Sequence, residues 1–456
     1  FRLERRGADI KIPELQLPDH KLQLPDIKSD VVTQVGCRIR VGTKLLLTID
    51  NVVTLIRETA DALVSTGLRD LGYKYLNLDD CWMKSRSFFG EINYDNDKFP
   101  SGMKNLSDYI HERGLLFGIY SSAGFWTCQR RPGSLFREDI DAQSYASWGV
   151  DYLKYDNCYN LALDATGRPI LYSICNWGEQ DPWTWGAGIG NSWRTTGDIN
   201  DVYRVNKKQD PRHCNPCGML EILDSTVGLE GYSKPGGFND LDMLEVGNGG
   251  MTHEEYKTHF SLWAALKSPL IIGCDVRNLT DGTRDILSNA EIIAVNQDPL
   301  GQSAKLVFRK DNSYDVWAGK LSEEYGLQNG VAILFNRGDT PQNVTMPFSL
   351  LQPFFQKYST DNKTNNTNGT SNEVMVFSAR DLWLKEELGI WVQEVTTYNI
   401  PSHGVVVLKL TLVYWGDDDE AQKLLKSPKY NGTSIHYNNG TSSNIHKRRT
   451  FINKRW

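Results

Sequence analysis

Six aspartates, Asp79, Asp80, Asp156, Asp198, Asp240 and Asp242, stand at or just beyond the ends of short apolar runs. Such runs of about four to eight residues read as strands, so the carboxylates gather where strands finish. Residues i and i+2 of a strand share a face. That puts Lys154 beside Asp156 and Asp240 beside Asp242. Arg194 and Asp198, four apart, agree as well if the chain stays extended. Several carboxylates on one rim suit glycoside hydrolysis. One ionised carboxylate faces an oxocarbenium-like centre, and one protonated carboxyl serves the leaving oxygen. A cation next to Asp156 keeps it ionised, as a nucleophile requires. Any single aspartate is more simply explained as a turn former or helix cap; six on one rim are not. Residue types alone nominate these six without ranking them.

The elements that carry them alternate. Leu55, Ile56, Ala60, Leu63 and Val64 recur at helical spacing up to Gly67, and Gly72 to Asp79 then reads as a strand. Further strands are expected at Leu115–Tyr120, Val150–Tyr155, Ile170–Ile174, Ser192–Thr195, Gly236–Asn239 and Leu270–Gly273, with a helix at Glu254–Leu266 among the segments between them. Strands alternating with helices imply parallel βα units. Seven strands are one short of a (β/α)8 TIM barrel, whose active site lies at the C-terminal ends of its strands. The missing strand is expected ahead of Asn51. We therefore expect an atypical segment over 1–50, a barrel over 51–303, a C-terminal antiparallel β-sandwich over 304–412, and a polar, basic tail over 413–456. The first segment holds a Pro-containing near-duplicate, Leu17–Lys21 and Leu24–Lys28, which argues against helix.

Composition narrows the partners. The 456 residues are 40% hydrophobic and 23% charged, a globular balance with a sizeable core. A net charge of −6 marks no nucleic-acid binder, and no run of roughly 18 apolar residues spans a bilayer. The acidic excess lies in the middle of the chain, and the basic end around Lys447, Arg448 and Arg449 reads as solvated. Thirteen Trp and 20 Tyr suit flat, partly apolar ligands such as sugar rings.

Sequons occur at Asn105, Asn278, Asn343, Asn362, Asn365, Asn368, Asn431 and Asn439; the five beyond residue 360, three of them in a polar Asn/Thr-rich stretch, imply a glycosylated, secreted protein. The chain opens on Phe1, so a signal peptide is expected to precede it. Cys214 and Cys217 have redox-motif spacing without a thioredoxin-like context. They are expected in structural disulfides, each open to a partner elsewhere, and the lack of a second such pair, with only His213 nearby, argues against zinc.

Four segments, Asn77–Trp82, Leu153–Cys158, Ser192–Asp198 and Gly237–Met243, resemble glycoside hydrolase family 27, as do Ser268–Gly273 and Asn296–Asp298. The likeness, of a fungal-like kind, runs from Leu55 to Leu412. It implies an α-galactosidase that acts on α-galactoside oligosaccharides by a retaining double displacement. Asp156 would be the nucleophile and Asp198 the acid/base, their carboxyls about 5–5.5 Å apart. It further implies that Asp79, Asp80 and Lys154 bond galactose hydroxyls, that Arg194 reaches the 2-hydroxyl, that Tyr120, Asp242 and Met243 complete the wall, and that Cys128 pairs with Cys158. Asn176 can bond a 2-hydroxyl while Trp177 crowds an acetamido group, so galactose is preferred to N-acetylgalactosamine. No cofactor is called for, since carboxylates supply both the nucleophile and the proton. The chain departs from the family where a Gly-Trp-Asn-Ser-Trp segment normally opens the barrel. Val35 to Lys44 stands there instead, with Cys37 as a possible partner for Cys81, and reads as a slip of reading frame. Two other readings remain: Lys154 as a Schiff-base nucleophile, and a galactose-binding protein without turnover.

Overall fold

The computed structural model describes residues 52–156, 167–205, 214, 216–357 and 373–426, and the backbone of Val31–Val35 and Ile435–His436. Eight parallel strands form one sheet: β1 (Val31–Val35), β2 (Tyr73–Leu78), β3 (Leu116–Ser122), β4 (Tyr152–Asp156), β5 (Leu171–Cys175), β6 (Ser192–Arg194), β7 (Phe238–Asp240) and β8 (Ile271–Ile272). β1 pairs with both β2 and β8. Leu244, just past β7, bridges Ile272 and closes the ring. The strand that alternation left unlocated is thus Val31–Val35, earlier than the Val35–Lys44 stretch that the family comparison pointed to; residues 36–51 lie outside the described part.

Helices α1 (Val52–Ser65), α2 (Gly102–His111), α3 (Glu138–Trp148), α4 (Met219–Ser225), α5 (His253–Ala265), α6 (Asp281–Leu287) and α7 (Ala290–Asn296) punctuate the strands. α5 starts with a reciprocal cap. Thr252 Oγ1 accepts from the Glu255 N–H at 3.3 Å, and Glu255 Oε2 accepts from the Thr252 N–H at 2.7 Å.

Period-two alternation sorts the strand side chains. Tyr75, Tyr152, Leu171 and Ile271 fill the base of the barrel as one small apolar cluster. Leu153, Tyr155, Tyr172, Ile174 and Trp193 point the other way, into the main core with Leu63, Leu106, Phe260 and their neighbours. Two and four residues beyond Tyr152, on its face, come Lys154 and Asp156. The interior is therefore apolar at its floor and ionisable at its mouth. Gly118 of β3 is required inside this wall. A Cβ there would lie 1.9 Å from Oδ1 of Asn77, its partner on β2.

The C-terminal unit comprises β9 (Lys305–Lys310), β10 (Tyr314–Glu324), β11 (Leu327–Asn336), β12 (Gln342–Pro347), β13 (Glu373–Asp381), β14 (Glu386–Val392), β15 (Glu394–Ile400), β16 (Val405–Asp417) and β17 (Ile435–His436). The larger sheet runs β9-β10-β11-β16-β13-β14-β17, and β12 pairs with β15. Val344, Met346 and Val395 of the small sheet pack on Leu334, Phe377 and Leu408 of the large one. The chain does not turn into a tail after Leu412. β16 continues to Asp417, and helix α8 (Asp418–Leu425) seats Ala421 and Leu425 against Val374, Val376, Ile390 and Val392. Two apolar residues four apart in an acidic segment are a faint signal, and the low hydrophobic content hid this helix.

Candidate active site

The register of the parallel ladder brings the polar residues to one level. Tyr120 is opposite Lys154, Ser122 opposite Asp156, and Asp156 opposite Cys175. On the far side Arg194 is opposite Asp240. Loops leaving these strand ends supply the remaining groups.

Asp156 is buried, 4% exposed. Its Oδ2 accepts a hydrogen bond from the Tyr120 hydroxyl, and Cys128 Sγ lies 3.5 Å from the same oxygen. Its Oδ1 has no hydrogen-bond partner among the described residues. Burial, then the negative charge of Asp156, push the Tyr120 phenol far above its usual range, so it remains a donor. Lys154 Nζ sits 3.0 Å from Asp79 Oδ2 and over the Tyr120 ring at 5.4 Å. Burial works against the ammonium, but the negative groups around it, Asp79 first and then Asp156 and Asp242 among them, together outweigh it and hold the lysine pKa well above its usual value.

Across the mouth, Arg194 Nη2 lies 2.7 Å from Asp242 Oδ2 and 3.4 Å from Asp198 Oδ1. Asp198 is the more open of these acids, its side chain 29% exposed. The Arg194 Nε is buried and has no hydrogen-bond partner among the described residues. Asp242 has left the strand conformation, with φ 76°, and its carboxylate also accepts from the Ile199 and Met243 N–H groups at 2.8 Å each. Asp240 Oδ1 accepts from the Asp242 N–H at 2.8 Å. Burial, only partly offset by Arg194, pushes Asp240 up to about 6.

Asp80 is occupied by a loop rather than by the mouth alone. Its carboxylate accepts from the Cys81 N–H at 2.6 Å, the Thr127 hydroxyl at 2.9 Å and the Gln129 N–H at 3.0 Å. It thereby pins the segment after β3 over the site. Asn176 donates Nδ2 to the Glu179 carbonyl at 2.5 Å, while its Oδ1 is buried with no hydrogen-bond partner among the described residues. Trp177 follows in a left-handed conformation, φ 58°, half-buried beside it. Met243 packs partly against the barrel-floor cluster.

Cys214 and Cys217 are bonded to each other, so neither pairs elsewhere. The reading of the sequence missed the consequence: the Cys217 N–H donates to the Asp198 carbonyl at 2.9 Å, tying the acid's backbone to the disulfide loop. It also passed over Cys175, buried opposite Asp156, whose thiol is raised well above its usual pKa by burial and then by Asp156. Alternation along β5 carries that signal. Cys158, the partner expected for Cys128, lies outside the described residues, as does Cys37. Among the described residues no group of three or more His, Cys, Asp or Glu is arranged to hold a metal ion.

Residues 48–298 match the family described as alpha galactosidase A, and residues 311–410 match the alpha galactosidase C-terminal beta sandwich domain. Alpha-galactosidase 3 of Arabidopsis thaliana is 47% identical over 351 residues, spanning 74% of this chain and 72% of its own. The crystal structure of alpha-galactosidase I from Mortierella vinacea superposes with a TM-score of 0.73 at 39% identity, covering 84% of this chain and 97% of that one. A Saccharomyces cerevisiae alpha-galactosidase structure with raffinose has a TM-score of 0.71 at 30% identity, covering 85% and 98%.

Proposed function

This chain belongs to the alpha-galactosidase family, and from that premise we propose how its own residues divide the hydrolysis of a terminal α-linked galactose. The carrying observation is the state of Asp156: buried, with Oδ2 held by Tyr120 and Oδ1 without a hydrogen-bond partner among the described residues. Oδ1 attacks the anomeric carbon. The glycosidic bond breaks as Asp198 passes its proton to the leaving oxygen, which leaves a galactosyl ester on Asp156. Water then attacks that carbon, Asp198 takes its proton, and the ester bond opens with retained configuration. The partial exposure of Asp198 supports its exchange of protons with leaving group and water.

Asp79, Asp80 and Lys154 bond the galactose hydroxyls from one side. Arg194, Asn176 and Asp242 face the 2-hydroxyl side, where the unpartnered Asn176 Oδ1 and Arg194 Nε are an acceptor and a donor in want of one. Tyr120 and Met243 complete the wall. Trp177 occupies the space an acetamido group would need. Raffinose, a galactose-bearing trisaccharide, is the proposed substrate class.

A Schiff base at Lys154 has the electrostatics against it, because that mechanism needs a neutral amine and Asp79 favours the ammonium. The chain is proposed to be a secreted glycoprotein, which is supported by exposure of all three sequon asparagines within the described residues, Asn105, Asn278 and Asn343. The reading-frame slip at Val35–Lys44 is also proposed, and an in-frame transcript encoding these residues would refute it.

The test is hydrolysis of an aryl α-galactoside and an aryl α-N-acetylgalactosaminide by the chain and by Asp156→Asn. Turnover of the first substrate only, lost in the variant, is expected. Binding of galactose without turnover by the unaltered chain would show a lectin-like protein instead, and full activity in Asp156→Asn would remove the assignment of the nucleophile.

A further inference from the structure

Five aromatic side chains that a core would ordinarily take in are turned to water on the active-site face. Phe88, Phe89, Phe125, Trp126 and Phe136 are each between 64% and 97% exposed. Scattered apolar residues on a surface are unremarkable, but a group on one face is informative. Phe88 and Phe89 cap the short hairpin Met83–Arg86/Ile92–Tyr94 that follows β2. The others lie in the loop between β3 and α3. Both segments leave the C-terminal ends of barrel strands, the face that carries the site.

The two loops are locked together. The Arg86 guanidinium binds Asp141 with two 2.6 Å contacts and donates to the Gly133 and Gly90 carbonyls at 2.7 Å each. Gly90 packs against Arg137, whose Nε would lie 3.0 Å from a Cβ at that position. The rings are paired edge to face, Phe88 with Phe89 at 5.4 Å and Phe125 with Phe136 at 6.0 Å. Phe136 is held at φ 61°, a conformation a bulky side chain rarely adopts.

This patch continues into the pocket. Trp126 is followed directly by Thr127, which donates to Asp80, and by Cys128, whose sulfur is 3.5 Å from Asp156. Arg130 and Gln129, both exposed, stand at the same loop tip. Flat apolar faces interleaved with donors fit a pyranose ring, which offers a C–H face and a rim of hydroxyls. They fit a second copy of the chain less well, since a two-fold contact would set this patch, which carries Arg130 and Arg137, against a patch of the same charge.

We propose that these five side chains form a stacking platform for the sugar rings beyond galactose in longer α-galactosides. The proposal rests on the α-galactosidase reading and extends it to the leaving group. The variants Phe88→Ala with Phe89→Ala, Phe125→Ala with Phe136→Ala, and Trp126→Ala are compared on an aryl α-galactoside and on a galactose-bearing manno-oligosaccharide of four or more rings. KM for the oligosaccharide is expected to rise about tenfold, with kcat/KM for the aryl substrate within twofold of the parent and Trp126→Phe restoring most of the loss. Equal losses on both substrates, or no loss on either, overturn the platform. So does a change confined to sedimentation, which would make the patch a self-association surface. Calorimetric binding of the same oligosaccharide to Asp156→Asn, with and without the platform substitutions, reads the platform without turnover. A parent inert toward the aryl substrate would therefore sink the hydrolase reading and leave this one separately tested.

Discussion

Lys154 Nζ lies 3.0 Å from Asp79 Oδ2, although β3 separates the strands that carry the two residues. The pair reaches past Tyr120, whose ring is 5.4 Å from the ammonium, and braces one wall of the mouth. Both side chains are mostly buried, 21% and 17% exposed, so removing one leaves the other with a charge that water only partly screens. Lys154→Met is expected to raise KM for an aryl α-galactoside at least about a hundredfold and to lower the melting temperature. Asp79→Asn should do likewise. The double variant should lose less than the two added, by roughly 1 kcal/mol or more, the mark of a direct pair. Strict additivity in a double-mutant cycle would mean that the two act independently.

Asp198→Asn separates proton donation from nucleophilic attack. A sugar or alcohol leaving group needs a proton, so kcat/KM for raffinose should fall by about 10²–10⁴. A dinitrophenolate leaves without one, and kcat/KM for dinitrophenyl α-galactoside should change far less. Its kcat should nevertheless drop, because the water that opens the galactosyl ester has lost its base. Rapid-quench kinetics should then show a burst of dinitrophenolate. Equal losses in kcat/KM for both leaving groups would assign Asp198 another role.

Stability should carry the signature of Asp240. Its pKa in the folded chain, about 6, stands above the value near 3.9 of an unfolded aspartate. The folded state therefore holds a proton that the unfolded state has released between those values. The resulting stabilisation is full below about pH 4 and is lost as pH rises through 6, by up to roughly 3 kcal/mol. Asp240→Asn abolishes that slope, so the variant should gain on the parent steadily from pH 4 to 6.5 in thermal unfolding and then level off. His259, buried and depressed to about 3, gives the opposite slope: its contribution fades as pH falls below 6.5. It is present in both proteins and cancels in the difference. A difference curve that is flat over this range would place Asp240 in an ordinary environment.

Alternation made seven barrel strands legible because each is a short, mostly apolar run set between helical or turn-rich segments. Val31–Val35 is as rich in β-branched residues, but it stands alone after a proline repeat, and only pairing with β2 and β8 identifies it as a barrel strand. The six rim aspartates were visible as a group and not as individuals. What distinguishes them is three-dimensional: Tyr120 on one oxygen of Asp156, a loop on Asp80, Arg194 against Asp198 and Asp242. Family resemblance ranked them where residue type could not. The bond between Cys214 and Cys217 was similarly open in the sequence, since two cysteines three apart can bridge each other or reach elsewhere. The exposed Phe88 and Phe89 read as nothing in particular until the hairpin turned them outward.

The barrel and the sandwich share a closed ring of charges. Arg337, which follows β11, donates to Asp315 of β10 at 2.8 Å and to both oxygens of Asp224 on α4 at 2.9 and 2.8 Å. Arg309 of β9 completes the ring, 2.7 Å from Asp315 and 2.8 Å from Asp224. Asp315 is wholly buried. Two cations and two anions balance while all four are present. Arg337→Ala leaves Asp315 shielded from water with one cation fewer, and breaking a buried pair in this way costs about 3–5 kcal/mol. The urea midpoint should fall accordingly. Activity on an aryl α-galactoside below the melting range should be retained, because the ring lies in the seam and touches none of the residues around Asp156. Apolar replacement of all four groups by side chains of similar volume should recover most of the loss, since desolvation of the charges offsets much of their attraction. An unchanged midpoint for Arg337→Ala would mean that water reaches Asp315 and that the seam is held by its apolar and hydrogen-bonded contacts, such as Asn289 Nδ2 donating to the Leu382 carbonyl at 3.1 Å.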